Sequence, residues 1–558
     1  MGCCLMQALN SVTLQSPGTL GLNTQSKDDV IDPREAIVLD NCIFDRNGRL
    51  AARKGYTRLN GTAASGTPTL DVVHSYINAS GSEIIVSAGG SKLWTGTTSL
   101  TDNTGSVTVT GDNWQFQNVS GNCVGCQASH EPVYYIGSGN FGYLVDQLTQ
   151  WAATTAYSLE NLRRPLAARN GYYYEVTTAG TSGGTEPTWP TTVGNTVVDG
   201  TVTWTCRQIP KSDAVLSAWG RLWMFSGTTV YYSDLLIPYA FSGGSSGTLN
   251  LQSVWTTGAD TIISIAAHNN NLIIFCKNSI VIYGSADNVS NIALADVING
   301  IGCLARDSVQ NIGTDILFLS SGGVRSLGRT VLQNTLPISE ISYSVREDLA
   351  DDLSGETVAI IRSTYNERNG FYLLGMPTSM RVWCFDLTAM SQGKTRITTW
   401  TQMSPYSFCT RLNQDLIFGF SGGFLGKYGS YYDYTSAYTM SYKSGWIDFG
   451  LKASKAIWKK AAWYVLSNAD REFTSGWAFD FDSETRSVQK IVDGGITAQY
   501  GVSQFGLSSF GFGDTKDKID FPMSGVGSIV QLSMSVSIQG ADVGFNKIDL
   551  FYKNGRVI

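Results

Sequence analysis

The residues that could carry chemistry are few. The 558-residue chain holds three histidines, His74, His130 and His268. It has no Gly-x-Ser-x-Gly elbow, phosphate-binding P-loop, HExxH helix or EF-hand loop. His268 lies in Ala266-Ala-His-Asn-Asn270, which reads as a turn beside a strand rather than as a general base. Cys123-Val-Gly-Cys126 with His130 is the one metal-like cluster. A structural zinc site needs four ligands, usually from two such pairs, and no second pair is present. The alternative for these thiols is a hairpin with two reduced core cysteines. A glycosidase needs two carboxylates facing each other across about 5–9 Å, and no Asp or Glu pair stands out. The sequence therefore assigns no catalytic, cofactor-binding or metal-ligating residue, and no cofactor.

One group of side chains could bind rather than react. Trp151, Tyr157, Tyr172, Tyr174, Trp189 and Trp204 crowd into residues 148–210. A flat row of such rings stacks on sugar rings, which makes these six the candidate glycan-stacking residues. The other reading is that a module this small builds its core from large aromatics. The Trp-x5-Tyr opening and Asn170-Gly-Tyr-Tyr-Tyr174 resemble small chitin- and cellulose-binding modules.

The rest of the chain has to position these residues. It is poor in charge, rich in glycine, tyrosine and tryptophan, and carries a formal net charge of -6. That composition suits many short strands joined by tight turns. An acidic balance without a basic stripe argues against gripping nucleic acid, because phosphate neutralisation supplies most of that affinity. DNA is expected only as a passing partner. No apolar run of about 18 residues exists, so no membrane insertion is expected. The start, Met1-Gly2-Cys3-Cys4-Leu5-Met6, departs from the myristoylation pattern at Met6, and no secretory signal pattern is present. The ten cysteines read as mostly reduced core residues.

From about residue 70 to 430, two short apolar strands joined by a Gly- or Asn-bearing turn recur seven times. The units begin near Glu83, Pro132, Gly220, Asn271, Asp315, Asn369 and Asp415. Their spacing is roughly 45–55 residues, with one gap about twice as long, which is the blade period of a β-propeller. The long gap holds the aromatic module, where Asp199-Gly200 signals a hairpin. Val345, Leu349 and Leu353 share one face of a short helix within Ser342–Leu353, whose acidic residues read as a solvated face or a subunit contact. Val530, Leu532, Met534, Val536 and Ile538 alternate with polar residues, a strand with one buried face. Asn47-Gly48 predicts a type I′ hairpin. The expected fold is thus all-β: a propeller of six to eight blades with a small inserted β-domain and a C-terminal β-sandwich, a sandwich array being the alternative. The expected divisions are 1–60 (arm and hairpin), 61–147 (first part of the propeller), 148–210 (insert), 211–435 (second part of the propeller) and 436–558 (sandwich, completed by the arm).

Ser16-Pro-Gly-Thr-Leu-Gly-Leu-Asn-Thr-Gln25 and Ala36 through Tyr56 resemble the N-terminus of tail nozzle proteins (tail tubular protein B family) of podovirus-type short-tailed bacteriophages. Trp219-Gly-Arg-Leu-Trp-Met-Phe225, Ser320-Ser-Gly-Gly-Val324, Trp446-Ile-Asp-Phe-Gly450 and Asn554-Gly-Arg556 fit the same group. The resemblance implies a structural virion protein that is not an enzyme. It would be one subunit of a homohexameric ring below the tail adaptor ring, with tail fibres or spikes nearby. Genomic DNA would pass through the lumen without sequence-specific binding, and the protein would be made in the host cytoplasm. The alternatives are a carbohydrate-binding receptor-recognition protein using the 148–210 insert, and a propeller glycan hydrolase.

Overall fold

A computed structural model describes residues 9–109, 111, 113–128, 130–255, 258–333, 340–390, 395–450, 454–467, 470–492 and 516–557. The acylation-like start, Met1 to Met6, lies outside them.

Each of the seven recurring units becomes one blade of antiparallel strands; six are separate small sheets and the sixth in order is part of a larger sheet described below. The first strand of each sheet lies innermost: Val72–Ile77, Gln115–Val119, Val215–Ala218, Ile262–His268, Gln310–Asn311, Arg362–Asn366 and Ser407–Thr410. These strands, with the short turn Arg306–Ser308, contact one another in order, and the seventh meets the first. The result is a closed seven-bladed propeller, here numbered blades I to VII. Middle strands such as Asn271–Cys276 and Ser279–Gly284 are apolar after their first residue and buried on both faces. That pattern follows from having a neighbouring blade on each side. Among the described residues blade V has three strands, with Glu340 bridging Arg325 on the outer one. Its turn needs Gly323, whose φ of 128° is left-handed and whose absent Cβ would collide with the Glu340 carboxylate.

Blade VII is closed by the other end of the chain. Tyr56–Arg58 pairs with Leu425–Tyr428 and supplies the outermost strand. The arm therefore contributes to the propeller as well as to the sandwich.

The C-terminal region is a two-sheet sandwich. One sheet joins Ser454–Ser467, Lys516–Gly527 and Val543–Val557 to the arm strands Asn10–Gln15, Cys42–Phe44 and Leu50–Ala52. The other contains Tyr438–Ser444, Val530–Ile538, Arg471–Phe479 and Arg486–Val492. This second sheet does not stop at the sandwich. Arm strand Glu35–Asp40 pairs antiparallel with Tyr438–Ser444 and, at Asp40 and Thr399, parallel with the last strand of blade VI. Blade VI and the sandwich thus share one ten-stranded sheet. Trp458, Trp463, Tyr442, Met534 and Trp477 fill the space between the two layers.

The five alternating residues Val530 to Ile538 are buried as expected. The short helix runs Arg346–Gly355, with Leu349 buried beneath it. The hairpin at Asn47-Gly48 forms, but its turn differs from type I′. That turn needs positive φ at both central residues, and here only Gly48 is left-handed. A longer loop is instead ordered by the Asp45 carboxylate, which accepts the backbone N–H groups of Asn47 (2.8 Å) and Arg49 (2.9 Å).

Arm, propeller and sandwich meet at one buried guanidinium. Arg53 is fully buried. It pairs bidentately with Asp433 at 2.8 and 2.7 Å. It also donates to Asn41 Oδ1 (2.8 Å), Lys54 O (3.0 Å) and Thr401 O (3.1 Å), which uses all five of its N–H groups. Removing one partner of a buried pair strands the other's charge, at a cost of about 3–5 kcal/mol. Arg53→Ala is therefore expected to destabilise the full chain by that amount. Arg53→Lys should recover only part of it, since an ammonium lacks the planar fork. Calorimetric unfolding of the two variants tests this, and an Arg53→Ala protein that melts with wild type would refute the role.

Candidate functional site

Three places could hold function: the aromatic insert, the thiol cluster and the propeller axis. In the insert, Tyr173–Thr178 and Val202–Arg207 are the central strands of a four-stranded sheet. The structure brings the six candidate aromatics together as its core. Trp151, Tyr157, Tyr174 and Trp204 are buried, and Tyr172 and Trp189 pack against them half-exposed. Tyr157 meets Trp204 edge to face with centroids 4.8 Å apart, and Tyr174 stacks on Trp189 at 4.1 Å. Buried indole N–H groups need acceptors. The Asp199 carboxylate takes both, from Trp151 at 2.7 Å and Trp204 at 3.2 Å, while its other oxygen accepts Gly183 N–H at 2.7 Å. Sequence reading missed Asp199 in this role, because as half of an Asp-Gly pair it signals only a turn. The Tyr174 hydroxyl is likewise satisfied, donating to Pro190 O at 2.8 Å, and burial pushes its pKa up. The four buried rings offer no face to a ligand.

The insert is seated firmly between blades II and III. Glu160 accepts the Gly244 N–H of blade III at 2.9 Å. Arg169 pairs with Glu131 and lies 3.5 Å above the Tyr143 ring of blade II.

Cys123 and Cys126 do not form a chelate. They lie three apart on one strand, Asn122–Cys126, and side chains three apart on a strand point to opposite faces. Burial pushes both thiols up. His130 is occupied by two backbone carbonyls, Glu131 O at 2.7 Å and Thr108 O, and packs between Trp114 and Tyr143. His74 contacts Asn118 Oδ1 at 3.0 Å, and burial lowers its pKa. His268 ends the innermost strand of blade IV, remote from both. Among the described residues no group of three His, Cys, Asp or Glu side chains could hold a metal ion. No helix among them is long and apolar enough to cross a membrane.

Near the axis the blades are bridged by charge. Arg306 on blade V donates to Asp213 O (2.6 Å), Asn113 O (3.0 Å) and the Asp307 carboxylate (2.6 Å). Arg362 on blade VI pairs with the same carboxylate at 3.2 Å and reaches Asn113 Oδ1 at 2.8 Å. Gln115 on blade II links Asp307 to Val215 N on blade III. Burial disfavours an ionised Asp307, but Arg306 and Arg362 outweigh it and hold its carboxyl below the usual range. A cavity of about 160 Å³ lies beside this cluster, lined by Val73, Gln115, Asp307, Arg362 and Ser407 among others. A duplex whose major groove alone is about 12 Å wide cannot pass through it. Burial also raises the pKa values of Asp146, Glu340 and Asp352, and none of these carboxyls lines the cavity.

The chain is therefore a seven-bladed β-propeller carrying an inserted β-module and fused through a shared sheet to a β-sandwich. No protein-family model matches its sequence, and no curated protein resembles it significantly. Solved structures with similar folds include PorZ, a surface component of the type-IX secretion system of Porphyromonas gingivalis. It is 10% identical over 66% of this chain and 37% of PorZ, with a TM-score of 0.34. The WD40 β-propeller domain of Doa1 is 9% identical over 67% of this chain and 97% of its own, with a TM-score of 0.25. The WD40 domain of Toxoplasma gondii coronin is 9% identical over 70% and 87%, with a TM-score of 0.28.

Two outcomes follow. Asp199→Ala leaves two buried indoles without an acceptor and is expected to cost the insert about 2–4 kcal/mol, read as faster amide exchange across 196–207. Unchanged exchange would show the carboxylate to be dispensable. Because the folded-state pKa of Asp307 is depressed, its stabilisation is present above the ordinary Asp value of about 3.9 and is lost as pH falls through the folded value. Asp307→Asn should therefore lower the neutral-pH melting temperature and flatten its fall in acid. Parallel acid limbs for the two proteins would refute this.

Proposed function

We propose that this chain is a structural subunit of a bacteriophage tail nozzle, a hexameric ring that forms the distal DNA-ejection channel below the adaptor ring. The observation that carries the reading is the course of the N-terminal segment. The stretches that resemble nozzle proteins, Ser16–Gln25 and Ala36–Tyr56, include most of the strand and the arginine that tie the propeller to the sandwich, Glu35–Asp40 and Arg53. A stiff wall unit needs such a tie. The bridges across the axis from blade II to blades V and VI leave no room for a duplex there, which supports a conduit between subunits rather than through one. An acidic chain, at -6, suits a lumen that DNA slides past rather than binds. Tail fibres or spikes would attach to the same ring. The glycan-binding alternative is weakened by the burial of Trp151, Tyr157, Tyr174 and Trp204.

Electron microscopy with mass measurement tests the reading, on the purified chain alone and mixed with adaptor and fibre proteins. The expected result is a six-fold ring with an axial hole, or six-fold density at the distal tail of virions. A chain that stays monomeric under all of these conditions would overturn the proposal.

A further inference from the structure

A groove of about 890 Å³ runs between the arm hairpin and the ends of blades VI and VII. Five cations line it, Arg46, Lys54, Arg368, Arg396 and Lys427, against three carboxylates, Asp45, Asp415 and Asp542. Some of this charge is spent locally. Arg396 pairs with Asp386 at 2.5 Å, Lys427 with Asp415 at 2.6 Å, and Asp45 with Arg49 at 2.6 Å. Arg46, Lys54 and Arg368 pair with no carboxylate among the described residues, and Arg46 and Arg368 are exposed. Three uncommitted cations around one concavity are unexpected in a chain of net charge -6.

The complementary feature is the helix Arg346–Gly355. Its Asp352 is committed, accepting from Arg381 (3.0 Å) and Trp383 Nε1 (2.9 Å), and Leu349 is buried beneath it. Glu356, just past its end, accepts the backbone N–H groups of Thr378 and Ser379. The helix is thus fixed in place while it presents Glu347, Asp348 and Asp351, none of which pairs with a cation among the described residues.

The two features sit at opposite ends of blade VI. In its central pair of strands, Phe371 faces Asp386 at one end and Met376 faces Arg381 at the other. The groove borders Arg368, Phe371 and Thr388, whereas the helix is anchored at Thr378, Ser379 and Arg381. Six strand residues span about 17–20 Å, so the ridge and the groove of one chain do not meet. Complementary patches at two different places on one subunit make a heterologous contact, the kind that closes rings of identical copies.

We propose that the acidic helix of one copy seats in the cationic groove of the next. This rests on the ring reading above and names its contact. The contact is electrostatic and largely rim-like, so it sets register and partner choice and is sensitive to salt.

Sedimentation of the full chain tests it with three proteins: wild type, a helix-reversed Glu347→Lys/Asp351→Lys variant, and a groove-reversed Arg46→Glu/Arg368→Glu variant. All substituted positions are solvent-exposed, and melting curves matching wild type verify folding. Each reversed variant alone is expected to self-associate at least about tenfold more weakly. An equimolar mixture of the two should restore assembly, because each reversed patch then meets its complement. Reversed variants that assemble like wild type would overturn this contact and leave the ring standing. Reversed variants that assemble normally while the groove-reversed one alone loses DNA retention would overturn it too, reassigning the groove to nucleic acid. A wild type that never associates would overturn the ring reading itself, and this contact with it.

Discussion

The molecule depends on the Arg53–Asp433 pair. The two residues are 380 positions apart, and a guanidinium taken out of water needs an acceptor for each of its five N–H groups. Those acceptors come from the arm (Asn41, Lys54), from the link between blades VI and VII (Thr401), and from the entry to the sandwich (Asp433). Tyr438, the first residue of a sandwich strand, stacks its ring 4.1 Å from the guanidinium and donates its hydroxyl to the Arg53 carbonyl. None of these segments can leave without exposing the others to an unsatisfied buried charge. Asn41 is held just as tightly. It sits at a left-handed φ of 58° while its amide bridges Thr401, Thr439 and Arg53. The arm segment leading into Tyr56–Arg58, which closes blade VII, is thus tied through Arg53 to the entry of the sandwich.

The same coupling appears in the sheets. A propeller ordinarily ends each blade at an outer edge, and edge strands invite unwanted pairing. The outer edge of blade VI is met by Glu35–Asp40 at Asp40 and Thr399, and from there the sheet runs on into the sandwich. At the other radius, the Arg306–Asp307–Arg362 cluster ties blades II, III, V and VI together around the axis. Motion between propeller and sandwich would have to break the Asp40–Thr399 bridge of the shared sheet, and motion among blades II, III, V and VI would have to open a buried charge network. The body is stiff for two independent reasons.

How much of this could be read from the sequence follows from what is local. The seven blade units were legible because each is a contiguous pair of strands, buried on both faces, with its turn glycine or asparagine in between. Units such as Asn271–Cys276 with Ser279–Gly284 announce themselves without their neighbours. The alternation from Val530 to Ile538 was legible for the same reason. What joins distant parts was not. Nothing around Arg53 marks it as buried, and nothing around Asp433 marks it as its partner. The pairing of Tyr56–Arg58 with blade VII crosses most of the chain. The insert shows the opposite difficulty. Its aromatics were visible, but an aromatic cluster looks the same in sequence whether it faces a sugar or a core. Only the burial of the rings and the inward acceptor Asp199 distinguish the two. The CxxC spacing chelates in a loop or turn, whereas on a strand it splits across two faces, so the reading of these thiols as core residues rests on where the strand falls.

Stiffness also bears on assembly. A heterologous contact closes into a ring of defined number only if the angle between its two patches is fixed, since an angle that varies gives open chains. Here the cationic groove and the acidic helix lie at the two ends of blade VI. A ring built through them takes its closure angle from the twist of one sheet rather than from a hinge or linker. That sheet is held on its outer side by Glu35–Asp40 and on its inner side by Arg362. The groove itself is walled by the arm hairpin that Arg53 anchors. A buried ion pair of little net stabilising value, measured against an apolar replacement, would then have a second role. It would hold a surface loop bearing Arg46 at the angle that a repeating contact requires.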